Sequence, residues 1–275
     1  MTGQKNMLPS FERPPVIETV LGVFFRPLRT FNSVRQGIFW REDLQVDFPD
    51  FEVRAPVDEI VERFDADSGY LQPGIRWQVS NEPDTPRLWA KSASGEHILQ
   101  LQRNALLANW LRRAEYRPFD QRLADFERRF QQFDAFSLNS LKEQVVPVSA
   151  TISYINHIPV EGGETWASAI ERILTCWSSP PAKSWLPAID RGLLQFSFAF
   201  PEDGGRLHAT VTPTKSKEVA SVSVQLELTG RIMFRKEQQT LAHLLTGLSM
   251  AHKWVVMGFA DLTRPEMHAY WGRTQ

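Results

Sequence analysis

At 275 residues and a formal net charge of -1, the chain suffices for one large domain or two ordinary ones and has no long-range pull toward nucleic acid or an anionic membrane. Hydrophobic residues make up 42% and charged residues 23%, the balance of a soluble globular protein, and 18 Phe with 9 Trp supply a large core. The single cysteine, Cys176, excludes an intrachain disulfide. With no leader-like run after Met1 and no window of about 20 apolar residues, the expectation is a cytoplasmic protein without a membrane partner.

Met1–Glu12 is polar and aperiodic and is expected to be a mobile arm. Arg13-Pro14-Pro15 stiffens the entry to a strand over Val16–Phe25. Ile17, Thr19, Leu21, Val23 and Phe25 lie on one face, with Glu18, Val20, Gly22 and Phe24 on the other. Glu18 is thus a carboxylate inside an apolar strand. Asn32 or Ser33 caps a helix to about Leu44, Phe48–Pro56 reads as loop, and Val57, Ile60, Val61 and Phe64 recur at helical spacing. After a turn-rich link over Asp65–Gly74, Ile75–Asn81 and Arg87–Ser92 read as strands.

The stretch Glu96–Arg112 predicts a β-hairpin, with Leu99 and Leu101 on one face and Gln100 and Gln102 on the other. Pro118 opens a helix to about Phe136 whose Phe119, Leu123, Phe126, Phe130 and Phe133 make one apolar face. Arg122, Asp125, Arg128 and Arg129 read as its solvated side, since six Arg face four acids between Arg112 and Arg129.

Leu138–Pro147 reads as a linker, after which the pattern restarts. A strand over Val148–Ile158 leads to a helix capped by Thr165, which carries Trp166, Ile170, Ile173, Leu174 and Trp177. Strands follow over Leu193–Phe200, Arg206–Thr212 and Val219–Thr229, with a last one over Arg231–Phe234, and then a long helix from about Glu237 to Leu262. The fold expected is therefore α+β: two similar β-α-β(3–4)-α halves, residues 13–137 and 148–275, joined by a linker over 138–147. Their antiparallel curved sheets would be covered by helices in a saddle-like, pseudo-duplicated arrangement. The last helix carries a Leu241–Leu244–Leu248–Val255–Phe259 stripe and a second with Met250, Trp254 and Met257. A helix apolar on two sides lies between the halves or in an interface.

Arg13-Pro14-Pro15-Val16-Ile17-Glu18 with Gly22 and Phe25, Leu99-Gln100-Leu101-Gln102 with Asn109-Trp110, Tyr154 with Asn156, and His252, Phe259, Thr263 and Trp271-Gly272 form a set of motifs spanning nearly the whole chain. In these the chain resembles a sporadically distributed family of bacterial proteins of similar length. That family brings no established activity; here Leu111 follows Asn109-Trp110 where its members are often basic.

The six histidines have no metal spacing, and no nucleophile elbow, phosphate loop or dinucleotide fingerprint is present, so neither a metal nor a cofactor is expected. His252 reads as a core or interface histidine satisfied by a backbone carbonyl, and Cys176 as a small buried hydrophobe. The remaining candidates are polar: Glu18, Gln100, Gln102 and Asn109 with neighbouring Trp110, and Asn156. They form either a structural hydrogen-bond network or a pocket for a small ligand. Met250, Trp254 and Met257 are the interface candidates. The function expected is a non-catalytic protein-interaction or assembly module, the alternative being a small-ligand binder or an enzyme using the pocket around Glu18, Gln100 and Gln102.

Overall fold

The computed structural model of the chain describes residues 8–58, 62, 86–112, 117–178, 189–201, 204–215 and 222–274. Among the described residues the fold is α+β, a single open antiparallel sheet of nine strands in the order β2-β3-β4-β5-β1-β6-β9-β8-β7, with five helices packed on it. The strands are β1 (Val16–Phe25), β2 (Asp50–Arg54), β3 (Arg87–Lys91), β4 (His97–Gln102), β5 (Ala105–Leu111), β6 (Pro147–Pro159), β7 (Leu194–Ala199), β8 (Gly205–Lys215) and β9 (Val222–Met233). The helices are α1 (Ser33–Phe39), α2 (Phe119–Phe136), α3 (Trp166–Ile173), α4 (Leu241–Leu262) and α5 (Pro265–Tyr270). Among the described residues no helix is long and apolar enough to cross a membrane.

Strand alternation sorts the side chains onto two faces. On one, Leu21, Val23 and Phe25 of β1 stand beside Ala108 and Leu106 of β5, Ile152 and Ala150 of β6, and, further out, Leu228 and Leu207. These residues are almost wholly buried, and α2 and α4 lie across them. Phe133 of α2 meets Phe25, Phe31 and Phe39 at ring-centroid separations of 5.6, 5.1 and 5.4 Å, so one helical residue joins β1, the loop after it and α1. On the other side of the seam α4 sits very close to β9. A Cβ at Gly230 would lie 2.9 Å from the Ala251 carbonyl oxygen, so only glycine admits the helix at that depth.

Local signals account for the helix starts. The Asn32 side chain accepts from the Arg35 N–H, Thr165 and Ser168 form a reciprocal capping box, and Thr240 caps α4. α1 and α2 each run on into a π-helical turn, Trp40–Leu44 and Ser137–Leu141, which takes up the first part of the stretch expected as a linker.

Several expectations change. Phe48–Pro56 is not all loop, because Asp50–Arg54 forms edge strand β2, with Phe51 and Val53 exposed and Glu52 paired with Arg54 and Lys91. Such charges protect a free edge. The strands expected over 219–229 and 231–234 are one strand, β9, running through Gly230. Part of the arm expected to be mobile is docked: Phe11 bridges Arg273 and sets its ring against Phe259 at 5.5 Å, because a large apolar side chain there finds a buried partner. Cys176 is exposed, since α3 ends at Ile173 and its periodicity no longer turns later residues inward. The helix expected over 57–64 is described only at 57, 58 and 62. The link over 65–74 and the strand over 75–81 lie outside the described residues.

The solvated helix side is also corrected. Arg122 and Arg129 are buried, at 4% and 3% exposure. Arg122 Nη1 donates to Thr19 Oγ1 at 2.8 Å, while Arg129 donates to Asp47 at 2.5 Å and lies over the Phe48 ring. A guanidinium enters a core only where such acceptors meet it.

Candidate functional site

The sheet face turned away from α2 and α4 carries most of the polar candidates. Register places Glu18, Asn109, Gln100 and Gln102 on this face. Four side chains on four neighbouring strands form one hydrogen-bonded row. Arg87 Nη1 donates to Gln100 Oε1 at 2.8 Å, Gln100 Nε2 to Asn109 Oδ1 at 2.6 Å, and Asn109 Nδ2 to Glu18 Oε1 at 2.6 Å. Burial raises the Glu18 pKa against the opposing hydrogen bond from Asn109, and the Glu227 carboxylate adds to the rise.

Gln102 stands apart from the row. Its amide donates to the Val57 carbonyl at 2.8 Å and its oxygen accepts from the Val57 N–H at 2.9 Å, copying a strand partner for a backbone that has none beside it. Gln102→Leu is expected to strand both Val57 groups and to cost about 1–3 kcal/mol, read as a lower urea midpoint at unchanged slope.

Further along the same face, Glu62 is clasped by the second half. Its carboxylate accepts from His208 at 2.6 Å, Arg231 at 2.8 Å and Arg206 at 3.3 Å. Burial alone would raise its pKa, but hydrogen bonds from His208 and Arg231 outweigh that and hold it at about 2. Glu62 was not among the sequence candidates, because its partners lie some 150 residues away in the chain.

Two candidates belong to the opposite face. Trp110 stacks on His97 at 4.9 Å beneath α2. Asn156 is buried and donates to the Leu226 carbonyl at 3.0 Å. On β6 it alternates with Tyr154 and Ile152, which pair with Thr19 and Leu21, so it lies on the face opposite Glu18, whose own partner is Ile155.

Asn156 instead lines a cavity of about 590 Å³ on the helix-covered face. Its walls come from four stretches: residues 8–11, Pro14 and Val16; Pro118–Asp120 at the start of α2; Tyr154 and Asn156 of β6; and Ser249, His252, Val256 and Phe259 of α4. Since β1 and α2 belong to the first half of the chain and β6 and α4 to the second, the cavity sits on the seam between them.

His252 is the central polar residue of this cavity. Its ring stacks face to face on Phe119 at 3.8 Å and 8°, and its Nδ1 is 3.1 Å from the Tyr154 hydroxyl, the partner it has in place of the expected backbone carbonyl. Burial, reinforced by the Arg122 guanidinium, lowers its pKa to about 4, so the imidazole is neutral near pH 7. Neither His252 nor Tyr154 was a sequence candidate. Pro14, Val16, Tyr154, Asn156, His252 and Phe259, which lie far apart in the sequence, meet here.

On the far side of α4, Trp254 stacks on Phe200 at 4.2 Å and 10°, so its apolar surface is used within the chain. Met250 is half-buried and Met257 is 39% exposed. Among the described residues no group of three or more His, Cys, Asp or Glu side chains is placed to hold a metal ion. Comparison of the chain with protein-family models finds no match, and comparison with curated proteins finds none either.

Proposed function

We propose that this chain is a non-catalytic binding and assembly module of the cytoplasm, and that it makes its contact through the seam cavity, with α4 as one wall. We read the molecule as a duplicated, saddle-like unit. Counted outward from the seam, one half runs β1-β5-β4-β3-β2 and the other β6-β9-β8-β7, and each half contributes a long helix to the same face. Cavities that carry function favour such junctions.

The observation that carries the reading is a division of labour. The polar side chains of Glu18, Asn109, Gln100 and Arg87 are committed to one another on one face. The cavity on the other is mostly apolar, with a neutral histidine and few polar groups, which is the make-up of a binding pocket.

The test is native mass spectrometry of protein purified from its own host, alongside Ser249→Trp, whose indole fills the cavity from an exposed position on α4. The wild type is expected to carry a bound species that the folded variant lacks. A wild type that travels alone, with no species lost in the variant, overturns the reading. Turnover that disappears in a folded Glu18→Gln variant overturns its non-catalytic part.

A second reading, in which a protein partner or a second copy docks on the outer face of α4, is favoured by exposed Met257 beside half-buried Val256. Met257→Glu tests it, because Trp254 is packed on Phe200 and its replacement would disturb the fold. Loss of an oligomer or partner complex in the variant supports this second surface; unchanged assembly removes it.

A further inference from the structure

Resting on the reading of the seam cavity as a receptor, we infer that its ligand is an uncharged, planar aromatic molecule carrying a hydrogen-bonding group. The walls set the shape. Phe119 and His252 stack directly on each other at 3.8 Å and act as one aromatic surface, and Phe11, Phe259 and Tyr154 contribute further aromatic surface to the same space. Aromatic walls reward a flat, polarisable guest over a branched aliphatic one. The volume of about 590 Å³ lies within the range of about 300–1,000 Å³ typical of small-molecule pockets.

Charge selects against anions. Among the described lining residues Asp120 alone carries a formal charge, and it is exposed. The buried guanidinium of Arg122 donates to Thr19 on β1 and is not among the lining residues. His252 is held neutral by its surroundings, so the imidazole offers a hydrogen bond without a positive charge. An anionic guest would lose its hydration and meet no cation among the described lining residues, whereas a hydroxyl or ring N–H meets the His252 edge and the polar group of Ser249.

The experiment compares two probes of nearly equal shape, 2-naphthol and 2-naphthalenesulfonate, by isothermal titration calorimetry at pH 7. Naphthol is expected to bind at least about tenfold more tightly than the sulfonate. His252→Phe, which keeps the stack on Phe119 but removes the ring nitrogens, is expected to weaken naphthol about tenfold. Ser249→Trp is expected to abolish its binding, with both variants checked for a native-like circular dichroism spectrum. A sulfonate that binds as tightly as naphthol overturns the ligand class while leaving the cavity a receptor. Failure of both probes to bind the wild type overturns the ligand class, and the receptor reading then stands or falls by the native mass spectrum. Naphthol binding that neither variant alters places the probe elsewhere on the protein and overturns the inference.

Discussion

Phe133→Ala is expected to cost about 3–5 kcal/mol, a large share of the roughly 5–15 kcal/mol that holds a typical domain folded. The ring has no solvent exposure, and it is the single contact through which α2 reaches β1, the β1–α1 loop and α1 together. Truncation leaves a void walled by Phe25, Phe31 and Phe39. Those rings are themselves fixed by packing against the sheet, so the void closes only partly. Urea denaturation followed by circular dichroism measures the effect, and a loss below about 1 kcal/mol would mean that this aromatic cluster relaxes far more freely than its packing implies.

Glu62→Gln is expected to cost about 2–3 kcal/mol at neutral pH, somewhat under the cost of breaking a fully buried ion pair, because Arg206, Arg231 and His208 keep partial contact with water. The sheet register explains the need for an acid here. Arg206 of β8 stands directly opposite Arg231 of β9, a like-charge cross-strand pair that destabilises the sheet unless a carboxylate lies between its members.

The pH dependence has a definite sign. The folded-state pKa of Glu62, about 2, is below the ordinary 4.5, so its contribution is complete above pH 4.5 and is lost as pH falls toward 2. Wild type and Glu62→Gln should therefore differ in urea midpoint at pH 7 and converge as pH drops below 4.5. A gap that persists unchanged at pH 2 would show that volume and packing, not charge, hold this residue.

The parts of the fold legible in sequence were those whose signals are local. The β4–β5 hairpin shows in the alternation of Leu and Gln, α2 in its phenylalanines three and four residues apart, and the starts of α1 and α3 in Asn32 and Thr165, whereas α4 begins at Leu241, four residues after the expected Glu237. β2 escaped because its alternation, Asp50-Phe51-Glu52-Val53-Arg54, lasts only five residues between Pro49 and Pro56, whose punctuation reads as loop. Arg122 and Arg129 escaped because their acceptors, Thr19 and Asp47, lie 103 and 82 residues away in sequence.

The candidate site divides in the same way. Glu18, Gln100 and Asn109 share strand parity that can be read along the chain, and they lie in one row. Asn156 was grouped with them only as a polar residue on a neighbouring strand, and the pairing of Glu18 with Ile155 puts it on the opposite face, toward the cavity. The cavity itself was invisible, because His252, Tyr154 and Phe119 become neighbours only once β1 lies beside β6 and α4 crosses toward α2.

The position of β1 and β6 at the middle of the sheet bears on cooperativity. They pair with each other from Val16 to Phe25, so parting the halves would turn the two innermost strands into edges with unsatisfied backbone groups. Neither half is then an independent folding unit, and local opening at the seam is penalised by nearly the whole of that ladder. Any guest bound in the cavity touches both sides of this junction, so at free concentration L it raises the stability of the folded chain as one unit, by RT ln(1 + L/Kd), rather than that of one half.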